Sequence, residues 1–487
     1  MFIEVEPSSA KPLRDQVIEQ IRMLIDKGLL NSGTTLPATR KLAEKLGVSR
    51  FTVYQAYSEL QAMGYLQSRP GSYNTVQKRR SETNSNPDRK SIINWETIST
   101  PNIRKAYCDF NKFNYQSGKT SKQVINMAGL SPDERLFPIK EFKRSIDNVL
   151  KDTGASTLNY ASYKGYPPLR EYLAQRLRLH GVAVSSDEIL ITTGAMNAID
   201  LTLRLTANPN KAVIVESPTY GILLPQLALH NVKVISIPMK QDGMDLDLLE
   251  NTLKKKEVSL IYTIPNFHNP TGITTNHQHR KRLLNICTKY RVPILEDGFE
   301  EDLKYFGKVD LPVKSLDENN IVIYTGTFSK ALFPGLRLGW IAAPKECVDR
   351  LTAIKRFTEL SSAHLIQAAM YHFCREGYYD LHLKKLHRVY RKRMETTLKA
   401  LESFLPKNIS WTKPVGGFTL WVKMPKKLNR EEFTNAFESY GVKVSPGIEY
   451  FLDVTESEYF RLSISSLNEK EITEGIKRLG KALGGNT

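Results

Sequence analysis

Lys330 stands in "YTGTFSKALFPGLRLGW", residues 324–340, among small and hydroxyl-bearing residues, with Arg337 seven positions further on. A lysine that bonds covalently to an aldehyde must be partly desolvated, so that its amine is neutral often enough to attack. Gly326 leaves room beside it, and the hydroxyls of Thr327 and Ser329 are suited to an anion such as phosphate. Arg337 adds a planar fork for the same anion. Taken alone, the stretch also fits a surface lysine near a salt-bridged arginine, so other segments must decide.

Five segments carry groups of the required kind. "TTGAMNAIDLTL" puts Gly194, Ala195 and Met196 where a strand passes into a helix, and the first N–H groups of a helix hold phosphate. "VPILEDGFEE" ends a strand at Asp297, at the carboxyl edge where α/β sheets place ligands. An anion there keeps a pyridine nitrogen protonated; an acidic helix cap is the alternative. In "IPNFHNPTG", Asn269 can donate to a phenolic oxygen while Pro270 and Gly272 shape the turn. In "VESPTYGI", Tyr220 can stack on a ring, or be one core tyrosine among 22. In "YFRLSIS", Phe460, Leu462 and Ile464 alternate with Arg461, Ser463 and Ser465, as on a half-buried strand. An arginine there needs an anion, either a ligand carboxylate or a structural Asp or Glu.

The elements that position these groups follow from periodicity. The runs "EILITTG", "KAVIVESP", "KVISIP", "LIYTIPN", "VPILEDG" and "IVIYTGTFS" alternate with helical segments, which predicts an α/β domain with a mainly parallel sheet. A helix-rich stretch at 345–405 and a smaller α+β portion complete it. At the other end, Leu13, Val17, Ile21, Leu24 and Ile25 share one helical face over residues 11–27. Pro37 is placed to open a second helix that Gly47 ends. Ser49 is an N-cap for a third, residues 50–63, closed by Gly64. "YLQS" and "YNTV" around the turn "RPGS" predict a two-stranded hairpin. Three helices and a hairpin make a winged helix-turn-helix, whose recognition helix presents its first residues to the major groove. Ser49, Arg50, Thr52 and Tyr54 occupy that place, and Arg40 suits a phosphate. Domains are therefore expected at residues 1–76 and 123–487, with a linker at 77–122, partly disordered and partly an arm on the following domain.

Composition agrees with a globular chain that meets a polyanion. The net charge is +18, and residues 1–80 hold 12 Lys and Arg against 7 Asp and Glu. No run of about 18 apolar residues predicts a membrane span. The start lacks the basic-then-apolar order of a signal peptide. Four scattered cysteines, Cys108, Cys287, Cys347 and Cys374, show no metal spacing and suit a reducing cytoplasm.

Residues 11–76 resemble the GntR-type winged helix, through "LP…R…LA" and "LGVSR.TV..AY..L...G". The wing departs, with "GSYNTV" where that family usually has a Gly-Ser-Gly-Thr turn. Residues 126–487 resemble fold-type I pyridoxal-phosphate aminotransferases: "LNYASYKGYPPLREYLAQRL", "TTGAMNA", "VESPTYG", "HNPTG", "EDGF", "FSKALFPGLRLGW" and "FRLSIS" occur in the family order. The resemblance implies pyridoxal 5′-phosphate as cofactor, Lys330 as its Schiff-base lysine, Asp297 at the pyridine nitrogen and Asn269 at the phenolic oxygen. It also implies Tyr220 on the ring, Gly194, Ala195, Thr327 and Arg337 around the phosphate, and Arg461 on a carboxylate. The whole chain is similar to MocR/GabR-type regulators. That implies a homodimer, an operator in double-stranded DNA, and a small effector, an amino acid or pyridoxal phosphate itself. An aminotransferase with an attached DNA-binding module is the alternative. Phe299 stands where these regulators usually have a tyrosine, and Ile222 where the GABA-responsive member has an arginine.

Overall fold

The computed structural model describes residues 3–7, 9, 11–68, 73–77, 92–114, 124–160, 162–307 and 310–484. The chain divides into two compact units, Met1–Trp95 and Glu96–Thr487.

In the first unit, helix α1 (Leu13–Asp26) buries Val17, Ile18 and Ile21. They pack with Leu42 of α2 (Thr39–Leu46) and with Val53, Ala56, Tyr57 and Leu60 of α3 (Arg50–Ala62). The second helix begins two residues after Pro37 rather than on it. The Pro37 carbonyl is taken by the Tyr57 hydroxyl at 2.9 Å, which ties this entry segment to α3. Gly47 closes α2 at φ +65°, a conformation that favours glycine. Strands β1 (Leu66–Gln67) and β2 (Thr75–Val76) pair antiparallel as the wing. The expected turn "RPGS", residues 69–72, lies outside the described residues, as do 78–91 and 115–122 of the expected linker and residue 123 of the expected second domain.

The described part of that linker contains a helix, Pro101–Asn114. It belongs to the second unit, where Asn102 Nδ2 donates to the Leu229 carbonyl at 2.8 Å, at the end of the helix Leu223–Leu229. After β3 (Ile125–Asn126) comes an eight-stranded sheet. Its strands are β4 (Ile189–Thr192), β5 (Ala212–Ser217), β6 (Lys233–Lys240), β7 (Gly243–Met244), β8 (Val258–Thr263), β9 (Ile294–Asp297), β10 (Val322–Thr327) and β11 (Gly339–Ala342). The spatial order is β4-β11-β10-β9-β8-β5-β6-β7. Neighbours from β10 to β6 run parallel, and β11 is antiparallel to both β10 and β4. Both faces are covered: Val213 and Val215 of β5 enter one core cluster and Ile214 another. This is why these strands read as continuous apolar runs.

The smaller sheet comprises β12 (Ser410–Trp411), β13 (Thr419–Leu428), β15 (Ser445–Pro446) and β16 (Ser457–Ser463), while β14 (Val442–Lys443) pairs with β3. Arg461 lies on β16 between β13 and β15 and is 7% exposed. The strand is buried on both sides at this point, not half-buried as its alternation predicts. Tyr450 covers the guanidinium, with the ring centroid 5.2 Å away.

Candidate functional site

Parallel strands deliver their carboxyl ends to one edge of the sheet, and the loops beyond them converge on a cavity of about 340 Å³. That lies within the usual range for small-molecule sites. Ala195, Met196, Tyr220, Asn269, Asp297, Thr327, Ser329, Lys330, Arg337 and Arg461 all line it. Gly194 stands just behind, as the N-cap of the helix Ala195–Thr206 at φ +87°. A Cβ at Gly194 would come within 2.8 Å of Arg337 Nη2 and push the guanidinium aside, and the φ of +87° itself favours glycine. Arg337, exposed at the cavity, donates from Nη2 to the Thr193 carbonyl at 3.3 Å and from Nη1 to the Pro334 carbonyl at 3.5 Å. The Thr327 hydroxyl donates to the Leu338 carbonyl (3.0 Å) and accepts from the Ser329 N–H (3.1 Å), which fixes the loop leading into Lys330.

Asp297 is 3% exposed. Its Oδ2 accepts the Tyr262 hydroxyl at 2.7 Å, and its Oδ1 has no partner among the described residues. Burial raises its carboxyl to about 6, against the pull of the Tyr262 hydrogen bond. Asn269 accepts from Arg461 Nη1 through Oδ1 (3.0 Å), which leaves its amide N–H groups to donate. Arg461 also donates to the Ala128 carbonyl; its Nε is unpartnered, and no carboxylate lies within 4.0 Å of it among the described residues. The structural-carboxylate alternative for Arg461 therefore has no candidate among those residues.

Lys330 donates to the Leu130 carbonyl at 3.1 Å. Burial pushes its ammonium below the usual lysine range, and the Glu300 carboxylate is the largest opposing influence. Sequence reasoning passed over Glu300, which is 2% exposed and raised by burial to about 7. In "EDGFEE" a second acid follows the strand-end Asp297 by three, but nothing local marks it as buried. Tyr262, Ser445 and Tyr450 were missed as well. Phe299 and Ile222 both line the cavity, Phe299 buried and Ile222 half exposed.

On the first unit, the Ser49 hydroxyl accepts the Thr52 N–H at 3.0 Å and lies 2.8 Å from the Thr52 hydroxyl. Both side chains thus fix the start of α3. Arg50 and Tyr54, one turn apart, are exposed, as is Arg40 on α2. Phe51, 64% exposed beside them, was not anticipated.

A winged helix and an aminotransferase-type sheet with a buried lysine, a strand-end aspartate and a glycine-capped helix start beside an arginine define a DNA-binding protein joined to a pyridoxal-phosphate fold. Residues 13–76 match the model of bacterial regulatory proteins of the gntR family, and residues 127–479 that of aminotransferase class I and II. The chain belongs to the GntR/MocR-like transcriptional regulators that carry an aminotransferase class I and II domain. It is 30% identical to the HTH-type transcriptional regulator YdcR of Escherichia coli, over 96% of this chain and 98% of that one. It is 36% identical to aromatic-amino-acid aminotransferase 1 of Thermococcus litoralis, over 74% of this chain and 88% of the relative. Among solved structures it resembles LysN, the α-aminoadipate aminotransferase of Thermus thermophilus complexed with N-(5′-phosphopyridoxyl)-L-leucine. The TM-score there is 0.74 at 30% identity, covering 80% of this chain and 98% of that one. Pyridoxal 5′-phosphate is the cofactor of this domain. The residues fit it: the unpartnered Asp297 Oδ1 and the glycine cradle at Arg337 suit a ring cation and a phosphate. No helix among the described residues is long and apolar enough to cross a membrane.

Proposed function

We propose that the protein is a cytoplasmic, homodimeric regulator in which residues 123–487 hold pyridoxal phosphate and report an amino acid, or cofactor occupancy itself, to the winged helix of residues 1–76. The observation that carries this reading is Arg461, a buried guanidinium facing neutral oxygens on the wall of the cavity that Lys330 also lines. An uncompensated buried cation is strongly unfavourable, and a ligand carboxylate relieves it.

Lys330 would hold the cofactor through its amine, with Asp297 at the ring nitrogen, Asn269 at the phenolic oxygen and Tyr220 on the ring face. Gly194, Ala195, Met196, Thr327, Ser329 and Arg337 would hold the phosphate. When bound, pyridoxal phosphate supplies an aldehyde that bonds covalently to amines and a ring that draws electrons from the attached carbon. Arg461 orients an incoming carboxylate, and Ile222 offers no second cation to a γ-carboxylate. Arg50 and Tyr54 reach into the major groove, Arg40 meets a phosphate, and Ser49 and Thr52 set the helix start. A ligand changes operator affinity only through unequal binding to two conformations; about 1.4 kcal/mol of difference gives tenfold.

Transamination is the second reading, favoured because Lys330, Asp297, Asn269 and Arg461 share one cavity. Phe299, which brings no hydroxyl to that cavity, speaks against efficient turnover. Loaded protein incubated with single amino acids, followed by recovery and chemical analysis of the cofactor, separates the two. A regulator returns pyridoxal phosphate after a reversible absorbance change. Stoichiometric recovery of pyridoxamine phosphate would make the enzyme the better description.

A further inference from the structure

Lys330 stands between two cavities. With Phe299 and Thr327 it lines both the large pocket and a small one of about 30 Å³, which has room for one or two waters. Two side chains on the small cavity carry polar atoms with no partner among the described residues: Glu300, at Oε1, and Trp340, at Nε1. The other Glu300 oxygen accepts the Phe418 N–H at 3.1 Å. Gly417, at φ +70°, lets that oxygen sit against the backbone, since a Cβ would fall 2.5 Å from it. A carboxylate buried so deeply with one oxygen unmet is costly unless a cation or a proton reaches it. Lys330 and Arg176 are the lysine and arginine on the same cavity, and Arg176 is already paired with Asp302 at 2.6 Å. Phe299, which borders both spaces, has no hydroxyl to compete for the proton.

We propose that Glu300 is the proton acceptor for Lys330, working through a water in the small cavity that the Trp340 N–H orients. The Nζ–H bond breaks with its electron pair left on nitrogen, an O–H bond forms at Oε1, the water passes the proton between them, and both groups become neutral. Lys330 is then a free amine on its pocket side, while the proton is held on the side away from ligand. Around the pair, Arg461 and Arg337 disfavour the ammonium and Asp297 disfavours a second carboxylate. In the opposite sense, Asp297 holds the ammonium and Arg461 the carboxylate; Tyr305 stands beside Glu300. Glu300 acts through Lys330 and is a positioning residue in that sense. The proposal rests on Lys330 being the amine that takes pyridoxal phosphate.

The test is difference infrared spectroscopy of apo protein before and after loading with pyridoxal phosphate, without DNA or amino acid. Wild type should gain the carbonyl stretch of a protonated carboxyl group that shifts in D₂O, and Glu300→Gln should lose that band. Asp297, meeting the ring nitrogen, would contribute with the opposite sign. Glu300→Asp keeps an acid and should move the band, which covers a glutamine variant that fails to fold. Wild type that gains lysine-linked visible absorbance without the band overturns the proposal alone. So does a band unmoved in either variant. Wild type that gains no such absorbance overturns the reading of Lys330 as well.

Discussion

Replacing Asp297 with asparagine should change how the stability of the apo protein depends on pH. Burial raises this carboxyl from 3.8 to about 6, so between those values the folded protein holds a proton that the unfolded chain has released. Stability must therefore fall as pH rises through that window and stay lowered above it. The ionised aspartate costs the apo protein about 3 kcal/mol above pH 6, and almost nothing below pH 4. An asparagine at this position would keep the size and an acceptor for Tyr262 but cannot ionise, so the variant lacks this part of the pH dependence. Urea unfolding of apo wild type and Asp297→Asn from pH 4 to 8 measures the difference between the two curves. That difference should change by about 2.5 kcal/mol between pH 4 and 8, whatever constant offset the new amide adds. A protonated ring nitrogen should draw the carboxyl back down, so loading with pyridoxal phosphate should flatten the wild-type curve. The variant loses a charge-assisted hydrogen bond of about 1.5–3 kcal/mol, roughly ten- to a hundredfold in cofactor affinity. Parallel pH curves for the two apo proteins, or equal cofactor affinity, would refute the electrostatic account of Asp297.

Three further outcomes are expected. Lys330→Ala should show no lysine-linked visible absorbance after gel filtration and no effector response, while binding nonspecific DNA like wild type; a retained response would separate the switch from the lysine. Gly194→Ala should weaken cofactor binding, because its Cβ meets Arg337 Nη2 at 2.8 Å and its φ is +87°, and a fluorescence titration of apo protein reads the loss. Arg50→Ala should weaken operator binding in a salt-dependent assay and leave the cofactor absorbance unchanged; wild-type affinity would mean that α3 does not read the operator.

Strand ends were the most legible part of this chain. Asp297, Asn269 and Tyr220 each follow an apolar run that both-face burial demands, so the sheet edge and the residues that line its cavity emerge together. Strand β11 was hidden because "LGWIAA" continues the lysine segment with no helix before it. A connection that short cannot cross over to a parallel neighbour, and the strand returns antiparallel. Arg461 alternates with apolar residues and so reads as half-exposed; the Tyr450 ring that covers it comes from elsewhere in the sequence. Glu300 was illegible for the same reason. In "EDGFEE" an acid looks like solvated surface, and only the packing of Gly417 and Phe418 against it reveals burial. The helix Pro101–Asn114 has a polar-mixed sequence, and its place depends on contacts with Leu223–Leu229 that no local pattern announces.

The central claim is that occupancy of the pyridoxal site changes how the winged helix binds DNA. It is tested most directly by measuring operator affinity, at one salt concentration, for apo protein, for protein loaded with pyridoxal phosphate, and for loaded protein with each amino acid in turn. At least one of these steps should change the affinity by about tenfold or more, the effect of about 1.4 kcal/mol of unequal binding, and Arg461→Ala should remove the amino-acid step. Equal affinity in all three states, with the cofactor verifiably bound to Lys330, would contradict it.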